Sequence, residues 1–270
     1  MLHFKKTTSS KLKPFHVRRN SNSLPLSAVE RDFGSSFGFL FRGKAIKRIC
    51  KSITGTITSF ALLASQVSYS YAQAIIIDPS APSSTLLQPI TTDNPVPVVD
   101  IATPESGVSL NTFTEFNVGE NGLILNNSAS GGLTQLGQNI TGNGNLVSGP
   151  ANVIVNEITG MSQSSLRGTT EVFGSEASVI IANPNGITCD GCAFLNTANS
   201  VLTTGTPQIT GSEITLNADR GQITIGRGGF KADGNGALIA RNIVGAGALE
   251  AGDGTGDLVI SGGAQSVQIY

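Results

Sequence analysis

The chain has no tryptophan and little charge: 17 Lys/Arg and 18 Asp/Glu in 270 residues, or 13%. That scarcity excludes a coiled coil or a bundle laced with ion pairs, and equally a charge-rich disordered tail. Histidine is confined to His3 and His16, and cysteine to Cys50, Cys189 and Cys192. Beyond residue 75 there is no histidine and a single pair of thiols, too few good ligands for a structural zinc site. No sustained 3.6-residue apolar period appears, which removes the amphipathic helix as a building unit. The longest apolar stretch, Ile53 to Val67, is too short and too rich in Thr and Ser to span a membrane comfortably.

The small net charge of −1 hides a split. Residues 1–74 carry twelve Lys/Arg against Glu30 and Asp32, a balance of +10, while the remainder is acidic at −11. "RGKAIKRICK" (Arg42 to Lys51) precedes the apolar stretch, and "SYAQA" follows it. A basic, an apolar and a small-residue segment in that order are the signature of an export signal. Residues 1–74 are therefore expected to be a removed, unusually long signal region. Cleavage is expected after Ala74, with Ala72 and Ala74 forming the small-residue site, or after Ala72; the alternative is an uncleaved membrane anchor.

In "VIIANPNGITCDGCAFLNT" (Val179 to Thr197), an apolar run ends at Asn183-Pro184-Asn185-Gly186 and a Cys-x-x-Cys follows. A redox centre of the thioredoxin kind needs a helix after the first cysteine, and no helical pattern follows here. An exported chain meets an oxidising compartment, so Cys189 and Cys192 are expected to form a disulfide that staples a turn and holds no metal. In the turn, Pro184 presets φ, Asn183 can bond its own backbone and Gly186 tolerates positive φ.

Residues 75–104 are rich in proline and read as an extended entry or cap segment. From 105 to 270, apolar runs of three to five residues alternate with Gly/Asn turns, as in "ANVIVNEITG", "SEITLNADRGQITIG" and "GDLVISGGAQSVQIY". Short strands with frequent turns mean an all-β protein. Narrow turns and brief strands favour a stacked right-handed parallel β-helix, of the pectin-lyase-like kind with N-terminal capping strands, over a sandwich. Asparagines at coil corners can stack and satisfy buried amides.

Here a specific resemblance enters. The region from about Asn111 to Pro207 resembles the secretion domain of filamentous haemagglutinins, the exported partners of two-partner secretion systems. "FTEFNVGENGLILNNS" is similar to that domain's opening. "GNGNL" (Gly142 to Leu146) stands where the family has Asn-Pro-Asn-Leu, and "EVFGSEASVIIANPNGITCDGCAFLNTANSVLTTGTP" resembles its Asn-Pro-Asn-Gly motif with both flanks. In the first motif Gly144 replaces the proline, between Asn143 and Asn145-Leu146. The tail from Leu238 is similar to the family's last coils. The resemblance implies a haemagglutination-type adhesin of a Gram-negative bacterium, secreted or bound at the outer-membrane surface, with a part in virulence. It implies recognition by a cognate outer-membrane β-barrel transporter, folding at the surface, and no catalytic residues or cofactor. Host-cell glycans or proteins would be engaged through repeats downstream. Because the resemblance ends near Tyr270, a truncated form is expected.

The alternative is a β-helical protein that binds or degrades a polysaccharide. Such lyases gather carboxylates around Ca²⁺ beside a base, whereas Asp219, Asp233, Asp253 and Asp257 are scattered along this sequence. Asp253-Gly-Thr-Gly-Asp257 resembles one imperfect calcium repeat and reads as a turn. "GRGGFKADGNG" (Gly226 to Gly236) lacks the Gly-Lys-Ser/Thr ending of a phosphate loop. The acidic balance after residue 74 excludes nucleic-acid binding.

Overall fold

The computed structural model describes residues 4–6, 74–81 and 83–269. The signal region expected at 1–74 therefore lies almost wholly outside the described residues, Ala72 included. Ala74 is described, and its carbonyl accepts a hydrogen bond from the Asn117 amide at 2.9 Å.

Three sheets stack strands from successive turns of the chain, and this is a parallel β-helix. The first joins Val108–Phe116, Val153–Ile158, Ala177–Ala182, Thr197–Thr203, Asn235–Ala240 and Leu258–Gly262, all parallel. The second runs from Val98–Asp100 through Leu123–Asn127, Thr169–Gly174, Cys192–Leu195 and Phe230–Ala232 to Leu249–Ala251. The third holds Ser164–Leu166, Ile187–Cys189, Gln222–Ile225 and Asn242–Gly245. Equivalent positions recur at steps of 25 residues (Ile154 to Val179), 21 (Val179 to Ser200) and 22 (Ala237 to Val259). Most of these strands are three to seven residues long, because a coil without an insertion must turn three corners in about two dozen residues.

The pleat sends alternate side chains inward. Phe113, Ile154, Val179, Leu202 and Leu238 fill the interior with Leu125, Val172, Phe194 and Phe230 from the second sheet. Phe113 and Phe116 meet edge to face at 5.0 Å, an arrangement that adds specificity to area burial. The interior is not wholly apolar. Asn111 and Asn156 occupy one inward row, fully buried. Asn111 Oδ1 accepts from the Ala102 amide and the Thr85 hydroxyl, and its Nδ2 donates to the Val155 carbonyl. Asn199 and Asn235 form a second stacked pair, at 3.2 Å.

The proline-rich entry segment closes the N-terminal end. Ile75–Ile77 pairs antiparallel with Val108–Phe116, and Leu86–Leu87 pairs antiparallel with Val98–Asp100. Asp78 pins this cap to the next coil. Its carboxylate accepts the Ser80 hydroxyl at 2.6 Å, the Thr159 hydroxyl at 2.6 Å and the Ser80 amide at 2.8 Å. The Ser80 hydroxyl, then Thr159 and the Ser80 amide, hold the Asp78 pKa below its usual value. A carboxylate with a depressed folded pKa contributes stability above its unfolded pKa and loses it as pH falls through the folded value. Asp78→Asn should therefore be less stable than the parent at neutral pH, with the gap closing on acidification. Thermal melts of both proteins across that range measure it, and a constant gap would contradict the assignment.

One feature is absent from the expected β-helix. Between Thr203 and Asn235 the chain inserts an antiparallel hairpin, Thr206–Thr210 with Glu213–Ala218. Gln265–Ile269 pairs with the second of these strands, and the backbone of Phe4–Lys6 pairs with Gln265–Ile269. This extra sheet lies over the outer face of the first sheet. Ile214, Leu216, Val267 and Ile269 pack on Val155, Ile180, Val201, Ala237 and Ile239. The first sheet is thus apolar on both faces, which explains runs such as Val179-Ile180-Ile181 that do not alternate.

Candidate functional site

The two asparagine motifs lie at coil corners and share one construction. At the corner after Ala177–Ala182, Asn183 is fully buried. Its Nδ2 donates to the Ser162 carbonyl at 3.0 Å and to the Ser164 hydroxyl at 2.9 Å. Its Oδ1 accepts the Asn185 amide at 2.9 Å, and its carbonyl accepts the Gly186 amide at 3.0 Å. Asn185 Nδ2 reaches the Gly160 carbonyl at 2.7 Å. The motif thus closes on itself and clamps the corner of the preceding coil. Pro184 is half-buried at the bend, and Gly186 has φ +123°.

The first motif repeats this geometry. Asn143 Nδ2 donates to the carbonyls of Ile101 (2.9 Å) and Asn126 (3.0 Å), and its Oδ1 accepts the Asn145 amide at 2.9 Å. Its carbonyl accepts the Leu146 amide at 3.4 Å. Asn145 Nδ2 reaches the carbonyls of Ser84 and Ile101 at 2.7 and 3.0 Å. Leu146 is buried in the interior core. The motifs occupy different corners and exchange no hydrogen bond.

Gly144 stands where a proline would sit. Its φ is outside the left-handed region, a Cβ there would meet nothing within 4 Å, and its amide makes no hydrogen bond among the described residues. Gly144→Pro should therefore be accepted and stabilise the domain by about 0.4–1 kcal/mol by restricting the unfolded chain. Denaturant titration decides; a loss of stability would show that the corner needs a backbone proline cannot adopt.

Cys189 and Cys192 are bonded at 1.99 Å, with Cα atoms 5.3 Å apart. They close the corner between the third and second sheets, where Gly191 has φ +88° and donates its amide to the Gly229 carbonyl at 3.0 Å. Both are buried. Cys189 stacks in register between Leu166 and Ile225, so the bridge fills core volume as well as closing a turn. Mass spectrometry of unreduced protein should show two hydrogens fewer than the dithiol, and stoichiometric zinc in a native sample would contradict this. Among the described residues no group of three or more His, Cys, Asp or Glu could hold a metal ion, and no helix is long and apolar enough to cross a membrane.

Other corner residues do the same work without a motif to announce them. Asn127 is fully buried, donates to the Ala151 and Ser175 carbonyls and accepts the Ala151 amide. Asn196 has φ +56° and donates to the Val172 and Gly174 carbonyls. Thr203, one coil after Asn183, accepts the Gly205 amide at 2.8 Å. Glu171 is buried under a loop and accepts the amides of Gln135 and Leu136. The Gly/Asn-rich turns carried the signal for Asn127 and Asn196; nothing local marked Thr203 or Glu171.

The described residues thus form a parallel β-helix with an antiparallel cap and asparagine clamps at its corners. Comparisons with known proteins identify the family. Residues 74–269 match the family model described as the TPS secretion domain, and the chain belongs to that family. It is 48% identical over 182 residues to the tRNA nuclease CdiA of Escherichia coli (strain NC101), covering 64% of this chain and 5% of that protein. It is 43% identical over 176 residues to the filamentous hemagglutinin of Bordetella pertussis (strain Tohama I), covering 63% of this chain and 5% of that protein. A solved structure, the crystal structure of filamentous hemagglutinin secretion domain, is similar with a TM-score of 0.65 and 38% identity, over 72% of this chain and 65% of that one. The matched segment is about a twentieth of these full-length relatives, so the nuclease activity in a relative's name does not pass to this chain.

Proposed function

We propose that residues from about 74 onward direct a large exported protein to its cognate two-partner-secretion transporter, a β-barrel of the outer membrane. In this reading residues 1–74 take the chain across the inner membrane and are removed. The domain meets the transporter as an unfolded chain and folds as a β-helix once outside a Gram-negative cell, at the surface or in the medium. The observation that carries this is the family match over residues 74–269. Its start falls where the sequence placed the end of the signal region.

The domain suits passage through a narrow pore. It is sparsely charged, and its one disulfide joins residues three apart in sequence, a loop too small to obstruct an extended chain. Local corners also let the helix grow coil by coil. The host ligands of a longer relative would be engaged by regions outside this domain, and no enzymatic role is assigned to it. Fusing residues 1–270 to a reporter and expressing it with and without the transporter tests the reading. Export that needs the barrel and fails when residues 75–270 are deleted supports it; export without them overturns it.

A further inference from the structure

The sheet that covers the outer face of the β-helix ends in an unpaired edge among the described residues. Its strands run in the order Phe4–Lys6, Gln265–Ile269, Glu213–Ala218, Thr206–Thr210. Thr206–Thr210 is the last, and its second edge has no strand partner among the described residues. Beyond that edge, over the start of Val108–Phe116, lies a groove of about 660 Å³. Val108, Leu110 and Thr112 line it from the first sheet, Ile209 and Gly211 from the hairpin, and Ser84, Thr103 and Glu105 among others from the cap. Val155, Ile180, Val201, Ala237 and Ile239 of this sheet lie under the extra sheet, whereas Leu110 is 38% exposed. Thr112 is 7% exposed, yet its hydroxyl has no hydrogen-bond partner.

A free sheet edge beside a trough with apolar side chains in it is the geometry of strand addition, in which main-chain bonds hold an extended peptide and alternate side chains fill the floor. We infer that this groove receives one extended segment, about five residues long, from a partner protein. The partner's segment has apolar side chains at alternate positions and no acidic residue. The charge around the groove sets that chemistry. Among the described residues lining it, the only ionisable one is Glu105, and Glu213 stands at the hairpin end opposite Thr210, so a carboxylate would be repelled and a flanking lysine attracted. Pro207 sets the register. A strand proline keeps its missing N–H on the unpaired side, so the added segment bonds to the carbonyls of Pro207 and Ile209 and to the Ile209 amide alone. A short, fixed register of this kind also guards the edge against indiscriminate pairing.

The probe is a labelled peptide, Lys-Val-Thr-Val-Thr-Val-Lys, titrated into the purified protein with anisotropy as readout. Saturable binding is expected, with amide shift changes centred on Thr206–Gly211 and Val108–Thr112. Leu110→Asp should weaken it about tenfold or more. Thr112→Val, isosteric and safe for the fold, should weaken it less. Two further copies are N-methylated at every valine or at every threonine. An added strand uses one edge, so only one of the two should lose binding; equal loss, or none, would overturn strand addition. Replacing both lysines by glutamate should weaken binding, and tighter binding would overturn the charge assignment. Absence of saturable binding, or equal binding by Leu110→Asp with its melt unchanged, would overturn the proposal. Concentration-dependent dimerisation abolished by Leu110→Asp would assign the groove to a second copy and overturn it as well.

Discussion

Asn183→Ala is expected to destabilise the domain by about 2–3 kcal/mol, since it deletes two donated bonds and one accepted bond at a site closed to water. For a domain of this size that corresponds to a fall in Tm of about 4–12 °C. The alanine also leaves the Ser162 carbonyl and the Asn185 amide to find new partners at a buried corner. The secretion assay separates two roles. In the folded domain Asn183 is inaccessible, so nothing outside can read its side chain there. If the motif serves folding alone, secretion falls in step with lost stability. If the transporter reads it in the unfolded chain, secretion collapses while the refolded melt shifts little. We expect the first outcome, because each donor and acceptor of the side chain is already engaged by the neighbouring coil.

Gly186→Val should cost as much or more, about 2–5 kcal/mol. At φ +123° a β-branched residue is strained whatever the space around it. Space is also short: a Cβ at this position would lie 2.9 Å from the Gln222 carbonyl oxygen and 3.1 Å from Gln163 Nε2. Overpacking adds to the strain. Gly186→Ala keeps the φ penalty with less bulk and should fall between parent and valine. Chemical denaturation of the three proteins gives the order. A valine variant as stable as the parent would show that the corner relaxes to another turn and that Gly186 does not define it.

The parts of this fold that local chemistry dictates were legible in the sequence. Short apolar runs broken by Gly/Asn turns announced stacked coils, and Asn183-Pro184-Asn185-Gly186 announced a rigid corner, because proline, asparagine and glycine each restrict or permit a particular φ. The parallel β-helix found is the architecture those signals describe, and membership of the secretion-domain family follows the resemblance carried by the two motifs. The extra antiparallel sheet was not legible. "SEITLNADRGQITIG" reads as two more coil strands, and only the tertiary arrangement reveals that Glu213–Ala218 leaves the helix and covers its outer face while Gln222–Ile225 stays in it. Nor could sequence show that "GNGNL" and "NPNG" build the same clamp. The equivalence rests on partners far away in the chain: Ile101 and Asn126 for one, Ser162 and Ser164 for the other. Val98–Asp100, inside the proline-rich entry segment, already pairs in parallel with Leu123–Asn127. Prolines there mask a strand that a neighbour rescues.

We propose that this β-helical domain is an export address read by a partner barrel. The most direct measurement expresses the 270-residue chain in a Gram-negative host with its cognate outer-membrane transporter, with an unrelated transporter and with none, and sequences the N-terminus of whatever reaches the medium. Product is expected in the medium with the cognate barrel alone, beginning at Gln73 or Ile75. Uncleaved product held in the inner membrane, or equal release under all three conditions, would contradict it.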